Sequence, residues 1–102
     1  MEMVDGARED PTAVFLVERY LSAFAASELA SSIARVVQVC AATGSPVPAV
    51  RYLSSVYLPS EDICFCVFRA DSSDAVRDVN RRGDFGFDRI TDAVLLDLPT
   101  TP

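Results

Sequence analysis

The chain has 102 residues, half of them apolar and about a quarter charged, which is the composition of one globular domain rather than of a disordered segment. Fifteen acidic residues against nine basic ones leave a net charge of −6, which argues against nucleic acid and against an anionic membrane surface as partners. All nine basic residues are arginine, and there is no histidine, so Schiff-base chemistry, imidazole bases, imidazole metal ligands and Ser-His-Asp triads are excluded.

Residues 1–12 carry Glu2, Asp5, Glu9 and Asp10 beside Gly6 and Pro11 and read as a flexible acidic arm. They lack the basic and apolar regions of a secretory signal, and the apolar stretch at 13–26, interrupted by Glu18 and Arg19, is too short to span a bilayer. Cys40, Cys64 and Cys66 are an odd number of cysteines, for which reduced thiols and the cytoplasm are the natural expectation.

Residues 13–20 (AVFLVERY) are rich in Val, Phe, Leu and Tyr and form the first predicted strand. An alanine-rich connection follows at 21–26. Ser27 is then placed as an N-cap with Glu28 in the first turn. Leu29, Ile33, Val36, Val37 and Cys40 make one apolar helical face, and Gly44 and Pro46 end that helix. Residues 49–58, between Pro48 and Pro59, are the second strand. The turn at 59–62 leads into an antiparallel third strand, residues 63–70 (ICFCVFRA). Asp71-Ser72-Ser73-Asp74 caps a second helix with Val76 and Val79 inward and Arg77, Arg81 and Arg82 outward. Gly83 and Gly86 break it. Residues 88–98 are the fourth strand, and 99–102 a tail.

The order β-α-β-β-α-β predicts an α+β, ferredoxin-like sandwich over residues 13–98: a four-stranded antiparallel sheet with two helices on one face. A sheet covered on one side has strands that alternate apolar and polar. These do not. Ile63, Phe65 and Val67 share one face while Cys64, Cys66 and Phe68 share the other, and the first strand sets Phe15 and Val17 against Val14, Leu16 and Tyr20. Two helices cover one side only, so the second face is expected to bury itself against the same face of another copy, giving a homodimer.

The segments FLVER (15–19), VRYLSSVY (50–57), DICFCVFRA (62–70) and DRITDAV (88–94) resemble the nickel-binding-protein-like family of small ferredoxin-fold proteins, largely of unknown function. The resemblance covers about 14–96. It implies a dimeric α/β-barrel assembly and carries Glu18, Arg19, Ser55, Asp62 and Cys66 over as matching positions. This chain departs from the family at Tyr52, where a tryptophan is frequent, and at Ser54 and Val79, near which histidines are frequent. A nickel site here would have to be built from carboxylates and thiolates alone, whereas imidazole suits Ni(II) well. No metal or other cofactor is therefore expected.

Glu18 stands in an apolar strand. In a pocket closed by a partner subunit, desolvation would raise its pKa and make it a general acid or base. The plainer reading pairs it with Arg51 or Arg69. Arg19 points the other way and is expected in solvent. Cys64 and Cys66 share a face with Cα atoms roughly 6.5–7 Å apart, at the outer limit for a disulfide. They read as small buried hydrophobes, or else as a thiolate metal pair or redox switch, although no second Cys pair or His completes a tetrahedral site. Tyr20, Tyr52 and Tyr57 offer phenolic donors to a ligand or pack plainly, with the inward side of the second strand undecided. The loop 83–87 carries two aromatics and reads as a lid. These residues point to a homodimer that binds a small molecule, contacted by Tyr20, Arg51, Tyr52, Ser54, Cys66 and Phe68. If the protein is an enzyme, Glu18 performs cofactor-free proton transfer of the isomerase or cyclase type. A structural or regulatory dimer and a metal-binding protein are the alternatives.

Overall fold

The computed structural model describes residues 11–44, 47–96 and 99, so the acidic arm (apart from Pro11 and Thr12) and the tail (apart from Pro99) lie outside the described residues. The element order is β1 (Ala13–Tyr20), α1 (Ala23–Ser27), α2 (Leu29–Ala41), β2 (Val50–Leu58), β3 (Ile63–Ala70), α3 (Ser73–Arg82) and β4 (Arg89–Ala93). The strands form one antiparallel sheet in the order β2-β3-β1-β4, as expected of a ferredoxin-like α+β fold. No helix among the described residues is long and apolar enough to cross a membrane.

Three boundaries differ from the sequence reading. The alanine-rich connection is itself a short helix, α1, because the Ser22 hydroxyl caps it by accepting from the Ala25 N–H at 3.1 Å. Ser27 does not cap α2; its hydroxyl donates to the Phe24 carbonyl, and Glu28 joins the two helices without a side-chain cap. The last strand stops at Ala93 rather than 98. Ala93 pairs with Val14, which leaves only Ala13 of β1 beyond it, so residues 95–96 have no strand left to pair with. Val94 and Leu96 are 81% and 75% exposed.

Phe15, Val17, Cys64, Cys66, Phe68 and Ala70 from the sheet pack on Val36 and Cys40 of α2 and Val76 and Val79 of α3. Val36 and Cys40 lie four apart on α2, as the periodicity requires, but Val37 is turned toward solvent and Ser32 takes its place among the buried positions. Ser72 caps α3 by accepting from the Ala75 N–H at 3.2 Å. At its other end Gly83 lies against α2, where an added Cβ would come within 2.8 Å of Val36 Cγ2 and 3.0 Å of its Cα.

The second strand resolves its own orientation through a bulge. Tyr52 pairs with Phe68, but the next pair is Ser54 with Val67, leaving Leu53 as the extra residue. Strict alternation would send Tyr52 and Tyr57 to opposite faces. The bulge places both on the helix-covered face, opposite Phe68 and Cys64, and Ser55 joins them opposite Cys66.

Candidate functional site

The predicted site residues divide between the two faces of the sheet. Glu18, Tyr20, Arg51 and Ser54 lie on the face that no helix covers; Tyr52, Cys66 and Phe68 lie beneath the helices. One pocket cannot hold the whole set.

On the open face, Leu16, Val67 and Phe65 form a half-buried apolar surface with Ile63, and Val56 beside them is 58% exposed. Glu18 stands among these residues as an organised carboxylate. Its Oε2 accepts the Tyr20 hydroxyl at 2.6 Å and its Oε1 accepts Arg89 Nη2 at 3.3 Å, and the Glu18 side chain keeps 13% of its exposure. The partner arginine is therefore Arg89, set directly opposite by the β1–β4 register, and neither Arg51 nor Arg69. The hydrogen bond from Tyr20, reinforced by the charge of Arg89, outweighs partial desolvation and holds the Glu18 carboxyl below its ordinary pKa. That reverses the expected direction: Glu18 is an ionised carboxylate here, suited to accept a proton rather than donate one. The same contact raises the Tyr20 phenol, since ionising it would set a second negative charge beside Glu18. Asp88 fixes the end of the strand by accepting the Tyr20 N–H at 2.6 Å.

Beneath the helices lies a row of polar groups. The Tyr52 and Ser55 hydroxyls are 2.7 Å apart, Ser55 Oγ donates to Cys66 Sγ at 3.0 Å, and Cys66 Sγ is 3.9 Å from Cys64 Sγ. Cys64 in turn sits opposite Arg19 on β1. Burial, with the Cys66 sulfur beside it, pushes the Cys64 thiol up to about 12, and burial pushes Cys40 up to about 11. Cys66 and Phe68 are fully buried in packed core, so they line no pocket in this chain.

Arg19 corrects the sequence reading most sharply. It is 1% exposed rather than solvated. Its Nη2 donates to Asn80 Oδ1 at 2.6 Å, its Nη1 to the Gly86 and Phe85 carbonyls at 3.0 and 3.4 Å, and its guanidinium carbon lies 3.8 Å over the Phe85 ring. Phe85 is itself buried, and the segment expected to be a lid, 83–87, is tied to the core through the Phe85 and Gly86 carbonyls. The signal was present in the alternation Phe15, Val17, Arg19, which puts the arginine in line with two core residues.

The described surface also holds an open groove of about 730 Å³ between α1, the start of α2 and the 84–88 segment, lined among others by Tyr20, Phe24, Arg35, Asp84 and Phe87. Arg35 stiffens its floor by donating to the Gly83 and Asp84 carbonyls at 2.9 and 3.3 Å.

A nickel site implied by the resemblance can be tested against these donors. Ni(II) favours square-planar or tetragonal nitrogen and oxygen sites. The chain has no histidine, and no three Cys, Asp or Glu side chains converge among the described residues. The donors among the described residues of one chain do not fit nickel.

The sequence pattern of the SCO4226-like family, described as nickel responsive protein SCO4226-like, matches residues 15–92. No curated protein matches the chain. Among solved structures, that of SCO4226 from Streptomyces coelicolor A3(2) is similar with a TM-score of 0.64 and 17% identity, covering 83% of this chain and 100% of that one. At that identity the likeness shows the fold. The family match spans the sheet from Phe15 to Asp92 with both of its faces, and on it the chain belongs to the SCO4226-like family.

Proposed function

We propose that the protein is a homodimer that binds a small organic molecule between two apposed sheet faces, with Glu18, Tyr20 and Arg89 as the polar centre of the pocket. The observation that carries this reading is the open sheet face. Leu16, Ile63, Phe65, Val67 and Val56 present apolar surface on a chain of net charge −6, around a carboxylate already ordered by two partners. An apolar face with a few oriented polar groups is the usual make-up of a ligand site, and a two-fold axis lets one patch cover its own copy. An ionised Glu18 selects a ligand that brings a hydrogen-bond donor or a positive group. In a reaction it is the base, and isomerisation or cyclisation is the chemistry that a carboxylate and a phenol support without a cofactor. Three free, buried thiols suit a reducing compartment, which favours the cytoplasm.

Native mass spectrometry of the full chain, isolated without added metal, tests the reading. The expected species is a dimer that retains an organic mass. Val56→Arg should return it to a folded monomer, and Glu18→Gln should keep the dimer but lose the retained mass. A wild-type protein that is monomeric at every concentration overturns the proposal, and a dimer carrying only nickel replaces it with metal binding.

A further inference from the structure

A pocket on the open sheet face makes no use of the groove between α1, the start of α2 and the 84–88 segment. Its volume of about 730 Å³ falls in the range of small-molecule sites, about 300–1,000 Å³. Tyr20, Phe24 and Phe87 bring three aromatic residues to its lining. Phe24 is 76% exposed on α1, a helix that buries none of its residues, so this ring packs no core. Phe87 already has a cation near its ring, with the Arg77 guanidinium carbon 5.7 Å from the centroid. The groove is also acidic. Among its described lining residues the charged ones are Glu28, Asp84 and Asp88, all exposed, against Arg35. Arg35 turns its guanidinium into the wall, where Nε donates to the Gly83 carbonyl and Nη2 to the Asp84 carbonyl and, at 3.4 Å, to the Ser32 hydroxyl. Asp88 is fixed at the rim by accepting the Tyr20 N–H.

We propose that this groove binds a small organic cation, an amine carried on an aromatic body, with its charge among Glu28, Asp84 and Asp88 and its body against Phe24 and Phe87. Carboxylates and the faces of aromatic rings both attract positive charge, so the two features of the lining select the same ligand. The net charge of −6 on the whole chain adds to that field and draws cations toward the groove. A carboxylate or phosphate ligand of the same shape meets three like charges and is rejected by them. The groove is built from α1, α2 and the 84–88 segment, so the proposal rests neither on a dimer nor on Glu18.

The chain has no tryptophan, so indole emission reports the ligand alone. Fluorescence anisotropy of tryptamine, titrated with the full-length protein at neutral pH, should show saturable binding that weakens as salt is added. The uncharged 3-ethylindole should bind about ten-fold more weakly, and the anionic indole-3-propionate should not bind. Phe24→Ala removes an exposed ring from a helix that buries nothing, so the variant should fold and weaken tryptamine roughly ten-fold, the scale of one cation–π contact. Asp84 stands at φ 56°, a left-handed backbone that asparagine also adopts, so Asp84→Asn removes the charge without strain and should weaken binding several-fold. Glu61→Gln, which removes a carboxylate outside the groove, should change nothing. The proposal fails if tryptamine shows no saturable binding, if the three indoles bind alike, or if Phe24→Ala and Asp84→Asn both leave the affinity unchanged. Should Glu18→Gln alone abolish binding, the cation sits on the open sheet face instead, and the groove is not its site.

Discussion

At the scale of single residues, two arginine positions decide most of what is distinctive in this chain. Arg19 is spent on organisation: one guanidinium ties Asn80 and the carbonyls of Phe85 and Gly86 to β1, with the aromatic face of Phe85 closing over it. Asn80→Ala removes the acceptor of the shortest of these bonds and leaves a charged N–H without a partner in the core. A hydrogen bond to a charged group contributes about 1.5–3 kcal/mol, so urea unfolding of this variant should show a stability loss of roughly 2 kcal/mol with an unchanged slope. Arg89 acts on the other face, with Tyr20, to keep Glu18 ionised. Because the folded pKa of Glu18 is depressed, its contribution to stability is present above the ordinary carboxylate pKa and is lost as pH falls through the folded value. Tyr20 has the opposite sign: its raised phenol contributes below the ordinary tyrosine pKa and ceases to as pH rises through the folded value. Ultraviolet titration should therefore find Tyr20, identified by its loss in Tyr20→Phe, ionising late. In Glu18→Gln the same phenol should ionise at lower pH, and no movement would mean that the contact does not persist in solution.

At the scale of elements, what the sequence made legible and what it hid have a common cause. β1, β3 and α3 could be read because their burial follows a single period: every second residue of β3 from Cys64 to Ala70 is buried, and Val76 and Val79 recur on one face of α3. The orientation of β2 was not legible, because a bulge inserts a residue at Leu53 and the period fails across it. The end of β4 was hidden for another reason. Val94, Leu95 and Leu96 have strand-forming side chains, but pairing is set by where β1 begins, which is a property of two segments together. The same limit applied to the site: the divided faces of Glu18 and Tyr52 follow from register, and the partnership of Glu18 with Arg89 joins residues 71 apart. The contact between α2 and α3 is likewise non-local. Gly83 has an ordinary φ of −80°, so alanine there meets no backbone strain, only Val36. Gly83→Ala should cost about 1–3 kcal/mol through overpacking. Val36→Ala should absorb part of that cost, so the double variant should be more stable than the sum of the two single losses implies. Strict additivity in thermal unfolding would show that the two helices are not pressed together there.

At the scale of the whole molecule, the sheet has one face closed by helices within the chain and one apolar face that no helix covers, and the proposed dimer makes assembly part of folding. A monomer keeps Val56 and Tyr20 largely exposed, at 58% and 60%, and with them the flanks of Phe65 and Val67. Apposing two copies removes that surface from water at about 25 cal/mol per Å² of apolar area, against the cost of lost translational and rotational freedom and the repulsion of two chains each carrying −6. A protein stabilised in this way unfolds at a midpoint that depends on its own concentration, because mass action favours the associated native state. Thermal scans across a hundred-fold range of wild-type concentration should therefore show the midpoint rising with concentration, and added monovalent salt should raise it further by screening the like charges. Val56→Arg should have a lower midpoint that is the same at every concentration, with its far-ultraviolet circular dichroism unchanged. If the wild-type midpoint is also independent of concentration while sedimentation gives the mass of one chain, the open face is stable in water on its own, and the pocket between two sheets does not exist.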